Sequence, residues 1–263
     1  MVVFQYEWKR SKKSILIWAI VLAVCIFFMT PVYYGLIGMT DSLPENFAQG
    51  GFFETVGVSL ELLMKPLGMY SFLTGFFMIA GGIFGMHFGL SLHTKECTEN
   101  TSEYLFTKPC GRRMIYRGKT QCLLGGVCVV GGAYLVASLV TMLLFKPGFS
   151  LGEFFLLAIS FFLVTLFFGA LGLLLGSCKP NNRSPLLTAG LIVFLEYCIT
   201  AFSRTVSNRM IGFLSPFSFF NPSEIHKLRF YEWDYLIWYI FLVAAFLILS
   251  HAVLMKRDIK FVA

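Results

Sequence analysis

Residues 151–175 read LGEFFLLAISFFLVTLFFGALGLLL, with Glu153 as the single charged side chain. An uninterrupted run of about 18 or more apolar residues is long enough to cross a hydrocarbon core of about 30 Å as a helix. Lipid offers no partners to backbone N–H and C=O groups, so only helices and closed barrels span it. Barrel strands alternate apolar and polar residues with a period of two. Here Phe154-Phe155-Leu156-Leu157 and Phe161-Phe162-Leu163 place apolar side chains at consecutive positions, so the stretch reads as a spanning helix.

Five further runs share this character, at 14–36, 67–92, 121–145, 185–202 and 235–255. The run at 185–202 is the most interrupted, because it contains Glu196. Over the whole chain 57% of residues are hydrophobic and 13% charged, against about 25% charged in soluble domains. The expected fold is therefore an all-α integral membrane protein, a single transmembrane domain over 1–263 with six membrane spans. The first run follows Lys9, Arg10, Lys12 and Lys13. It is longer than a signal-peptide core and no small-x-small site follows it, so it reads as the first span.

An even number of spans puts both termini on one side. Fifteen of the 21 Lys and Arg residues fall on that side and six on the other. The positive-inside rule then predicts cytoplasmic termini, with the 93–120 and 178–184 loops beside them. The net charge of +7 is accounted for by this asymmetry, and no nucleic-acid partner is expected. Cys25, Cys122, Cys128 and Cys198 lie in the runs, and Cys97, Cys110 and Cys178 on the terminal side. None falls in an outer loop, so no structural disulfide is expected. No C-x-x-C pair supports a metal or redox site.

Segments between the runs carry their own patterns. In residues 1–13, Phe4 and Trp8 stand four apart beside a basic face, which predicts an interfacial helix on the inner leaflet. Residues 44–64 mix aromatic and acidic residues and are expected at the outer surface. The stretch 204–234 is aromatic and broken by Pro216 and Pro222, which predicts short re-entrant helices in the outer leaflet between spans five and six. The most polar stretch, HTKECTENTSEYLFTKPCGRRMIYRGKTQ at 93–121, holds an apolar patch, Tyr104-Leu105-Phe106, just before Pro109. Ser102 or Thr101 with Glu103 is a helix-start signal, and Pro109 ends the helix.

These residues resemble the permease subunits of type-2 ABC exporters. The first cytoplasmic loop of that family commonly runs from an acidic residue through a Gly-Thr-like step, Glu, Leu-Leu, Pro and Arg to a Gly-Lys at the start of the third span. Glu96, Thr101, Glu103, Leu105, Pro109, Arg112, Arg113, Gly118 and Lys119 follow that order. Phe4, Glu7, Trp8 and Lys9 resemble its amphipathic first helix, and Leu214-Ser215-Pro216-Phe217 its outer region. Asn100 departs from the family, which usually carries Gly there. The resemblance implies that 93–120 is the cytoplasmic coupling loop, with Glu96, Thr101, Glu103, Leu105 and Pro109 contacting an ABC ATPase. It implies two such ATPase subunits, a second copy of the permease or a related one, and a place in the plasma membrane. ATP and Mg would bind the ATPase, with no cofactor in this chain. The function implied is export of an amphipathic substrate (peptide, lipid or drug); the alternative is a non-transporting membrane sensor or immunity protein.

Other features stand with two readings each. Gly118-Lys119-Thr120 ends like a phosphate-binding loop, but Arg113 occupies the position where that loop needs its first Gly, and no ATPase site is expected in this chain. Glu196 either lines the substrate pathway or carries a proton, or it is a hydrogen-bonded structural residue near Tyr197 and Ser203. Gly81, Gly85 and Gly89, with Gly172 and Gly176, strip one helix face for close approach, within the chain or between subunits. His87 and His93, six apart, are poorly spaced for a metal, and nothing singles out a Ser–His protease pair.

Overall fold

The computed structural model describes residues 2–38, 66–98, 111–145, 148–182, 184–206 and 208–256, and these are 91% helical without a strand among them. In chain order the helices are α1 (Val2–Gly38), α2 (Pro66–Thr98), α3 (Arg112–Phe145), α4 (Leu151–Cys178), α5 (Pro185–Val206), α6 (Arg209–Gly212), α7 (Pro216–Phe219), α8 (Pro222–Leu228) and α9 (Trp233–Lys256). The six long helices are each long and apolar enough to cross a membrane. The three short ones occupy the stretch that Pro216 and Pro222 break, as the sequence leads one to expect. Pro opens both α7 and α8, where its missing N–H costs no helical hydrogen bond.

α2 and α4 form the centre of the bundle, with the most extensive interface in the chain. In lipid there is little hydrophobic drive between helices, so close van der Waals packing of small residues does this work. The glycine stripe is where the backbones meet. A Cβ at Gly85 would run into the carbonyl of Thr165, and one at Gly89 into that of Gly169. From the other side, a Cβ at Gly172 would stand 2.5 Å from the Met86 carbonyl oxygen. The stripe is therefore an intrachain contact. α1 packs on α3, and α9 on α4. α1, α5 and α9 lie at the periphery, with only a minor share of their apolar stretches buried.

Hydroxyl groups at the centre of the bundle find partners, as an apolar medium demands. The Tyr70 hydroxyl donates to Ser138 at 3.2 Å, and Thr74 shares a hydrogen bond with Tyr134 at 3.1 Å. Both tyrosine rings stack on α4, Tyr70 on Phe154 and Tyr134 on Phe161. Tyr239 donates to the Leu163 carbonyl at 3.0 Å and anchors α9.

Three helices run past their apolar stretches. Residues 2–13 form the first turns of α1, which runs on into the first apolar stretch and is continuous for 37 residues. No helix breaker lies between Lys9 and Ile20, and the side chains of Val3, Glu7, Ser11 and Ile15 are buried against the bundle. α2 continues through 93–98 and α3 begins at Arg112, so both flanks of the expected 93–120 loop are helical. At about 1.5 Å per residue α1 is about 55 Å long, well beyond the core thickness of about 30 Å. α1 begins and α9 ends at the same end of the bundle, called here the terminal end.

Candidate functional site

The terminal end is built around one ammonium group. Lys119, in the second turn of α3, is fully buried and pairs with Glu7 of α1 at 3.2 Å. The same Nζ donates to the Leu92 carbonyl oxygen of α2. One side chain thus ties the end of α2, the start of α3 and the start of α1. Gly118 makes room for this, since a Cβ there would stand 2.8 Å from Val3. Two turns further, Gly125 receives the Trp8 indole, which stacks on Phe4. The Lys95 ammonium donates to Ser11 at 3.2 Å, a second α2–α1 tie.

α9 is fastened to the same assembly. Arg112 donates to the Met255 carbonyl at 2.7 Å, and the Tyr116 hydroxyl donates to that of Leu247 at 2.6 Å. A buried cluster closes the α4 side: Ser177 hydrogen-bonds with Ser250 at 2.8 Å and with His93 Nε2 at 3.3 Å. His93, expected in a loop, is buried in α2.

Of the residues that the resemblance assigns to the ATPase contact, Thr101, Glu103, Leu105 and Pro109 lie outside the described residues. Glu96 belongs to the last turn of α2, and its side chain is likewise outside them. The frame around that segment is described, and it contains Glu7, Gly118 and Lys119 from the same motifs. Sequence reading missed that Glu7 and Lys119 pair. A signal was present: Glu7 is the only acidic residue among the first 40.

Glu196 sits half-buried in α5, with Oε2 enclosed and without a hydrogen-bond partner. It is not paired with Tyr197 or Ser203. Tyr197 packs its ring against Phe217, and the Ser203 hydroxyl donates to the Asn208 carbonyl. Ser215 donates to the Glu196 backbone carbonyl, which pins α7 to α5.

At the opposite end the short helices surround a polar cavity of about 520 Å3, lined among others by Arg204, Asn208, Arg209, Asn221, Glu224 and Lys227. Arg209 bridges Glu232 and Asp234, each at 2.9 Å, and lies over the Tyr235 ring. These carboxylates, Glu232 above all, hold its guanidinium above the ordinary arginine range. Beside the cavity Glu153 of α4 pairs with Arg229 at 2.6 Å and faces His226 at 3.6 Å. Arg229 caps α8 in the left-handed conformation, with φ 62°.

Six helices fit to cross a membrane, a helical frame on either side of a polar segment at one end and three short helices at the other define a polytopic α-helical membrane protein. The family model described as ABC-2 family transporter protein matches residues 1–259, and the chain belongs to that family. No curated protein matches it. Family membership makes it the membrane subunit of a transporter, of a kind that generally lacks its own ATPase site and works with an ABC ATPase.

Proposed function

We propose that this chain is the permease of an ATP-driven exporter in the plasma membrane, with its terminal end in the cytoplasm. Two ATPase subunits grip the segment between α2 and α3, and a second copy or a related permease completes the pathway. Six helices, of which α1, α5 and α9 bury only a minor share of their apolar stretches, do not enclose a pathway alone. Glu96, Thr101, Glu103, Leu105 and Pro109 form the contact, and Leu105 is its apolar anchor. The substrate is amphipathic, and Glu196, with its enclosed and unpartnered oxygen, lines the path.

The observation that carries this reading is the three-way tie at Lys119. Both helices that flank residues 99–110 are fastened to each other and to α1, and α3 is fastened to α9. A push on the intervening segment is then delivered to four helices together. Interfaces of this kind shift as units. The charge asymmetry supports the orientation.

The test is association and turnover. The chain purified from native membranes should bring down an ABC ATPase and stimulate its hydrolysis in lipid, and Leu105→Asp should abolish both effects. Unchanged association and turnover in that variant would remove the coupling assignment. A chain that binds peptide or lipid but no ATPase would be a sensor or immunity protein.

A further inference from the structure

The outer side of α1 carries a pattern of its own. Val3, Glu7, Ser11 and Ile15 are buried against the bundle, and Lys9 and Lys13 stand on the opposite side of the same turns. Steps of four, three, four and four residues lead from Lys9 through Lys13, Leu16 and Ile20 to Val24, so these five share one helix stripe. All five are exposed, and Lys12 is exposed beside them. The stripe is cationic as far as Lys13 and apolar from Leu16 onward.

The three ammonium groups are a surplus that nothing nearby cancels. Glu7 is the only acidic residue among the first 40, and it is buried against Lys119. Among the described residues Lys9, Lys12 and Lys13 make no ion pair. Every exposed charge described at the terminal end is a cation, Arg113, Arg117 and Lys256 included. This distribution decides what covers the stripe. An ATPase in water does not reach Ile20 and Val24, which lie in the part of α1 fit to cross a membrane. A second copy would bring the same cations to the same level, and like charges placed together repel. An anionic phospholipid has both complements, a phosphate for the lysines and an acyl chain for the apolar ladder. Lys13 to Val24 is about 16 Å of helix, close to the depth of one leaflet, half of a core of about 30 Å. Basic clusters directly beside a membrane helix attract anionic head groups.

We propose that this stripe binds an anionic phospholipid of the leaflet at the terminal end, with the phosphate on Lys9 and Lys13, Lys12 beside it, and an acyl chain along Leu16, Ile20 and Val24. The other side of the same helix carries Glu7, the partner of Lys119, so the bound lipid braces the helix that completes the terminal tie. The proposal rests on the geometry of α1 and not on ATP coupling, and its test uses the chain without any ATPase.

The probe is dioctanoyl phosphatidylglycerol, with dioctanoyl phosphatidylcholine and glycerol 3-phosphate as comparators, measured by native mass spectrometry on the purified chain in detergent. The phosphatidylglycerol should bind in preference to the phosphatidylcholine. Changing Lys9, Lys12 and Lys13 together to Gln should weaken it by about fivefold for each lysine removed, the effect of one basic residue near an anionic surface. Changing the same three to Arg should preserve it. All three side chains are exposed, so the fold is not at stake. Arg113→Gln with Arg117→Gln takes two exposed cations from α3 and should leave binding nearly as it was. An equal loss from that pair would mean attraction to net charge alone and would overturn the stripe. Equal binding of the two lipids, or no response to the lysine changes, also overturns it. Glycerol 3-phosphate that binds as tightly as the lipid removes the acyl chain from the site. A dimer that excludes the lipid gives the face to a second copy.

Discussion

Both ends of the bundle are held by ionic contacts, but the two sets are of opposite kinds. At the terminal end Lys119 and Glu7 show 1% and 3% of their side-chain surface to solvent. At the other end Arg209 and Asp234 show 57% and 66%. A buried pair is costly to form and far more costly to break, because removing one partner leaves an uncompensated charge. An exposed pair contributes little either way and leaves its surroundings open. The terminal end is therefore arranged to hold α1, α2 and α3 together. The opposite end keeps its charges accessible around a cavity.

The sharpest way to break this contrast is Lys119→Met. Stranding Glu7 should cost about 3–5 kcal/mol, seen as a lower unfolding midpoint in detergent. The double change Glu7→Leu with Lys119→Met should recover most of the loss, since an apolar pair of similar volume is often neutral. A smaller effect is expected where α2 meets α4. Gly85→Ala drives a methyl into the Thr165 carbonyl and should cost about 1–3 kcal/mol, the usual range for overpacking. Ser250→Ala removes two bonds to α4, with Ser177 and with the Leu173 carbonyl, and should cost about 1 kcal/mol, at about 0.6 kcal/mol for each hydrogen bond between membrane helices. Arg209→Gln should leave the unfolding midpoint unchanged. A large loss there, with little at Lys119, would invert the comparison.

Much of the fold is legible in the sequence because a spanning helix announces itself by composition alone. Residues 151–175 and the five similar runs give α1–α5 and α9, and Pro216 and Pro222 with their aromatic neighbours give the short helices. The glycines at four-residue spacing mark a close helix contact, although only the structure shows α4 as the partner. Residues 1–13 were legible as a helix but not as a continuation of the first span, and the helix ends at 93–98 and 112–120, whose residues are polar and look like loop, were not legible. All three are held by pairing over long sequence separations: Glu7 with Lys119, Ser11 with Lys95, Arg112 with the Met255 carbonyl. Hydropathy carries no information on such partners. The cavity was not legible either: its walls come from five neighbouring elements whose placement against one another hydropathy does not give.

The central claim is that the end bearing the Lys119 tie faces the ATPase from the cytoplasm. It is tested most directly by labelling a variant that keeps Cys110 as its one cysteine, in intact cells, with a membrane-impermeant maleimide. The account predicts no labelling until the membrane is permeabilised, followed by full reaction. Labelling of Cys110 in sealed cells would put the tied end outside and contradict the coupling mechanism.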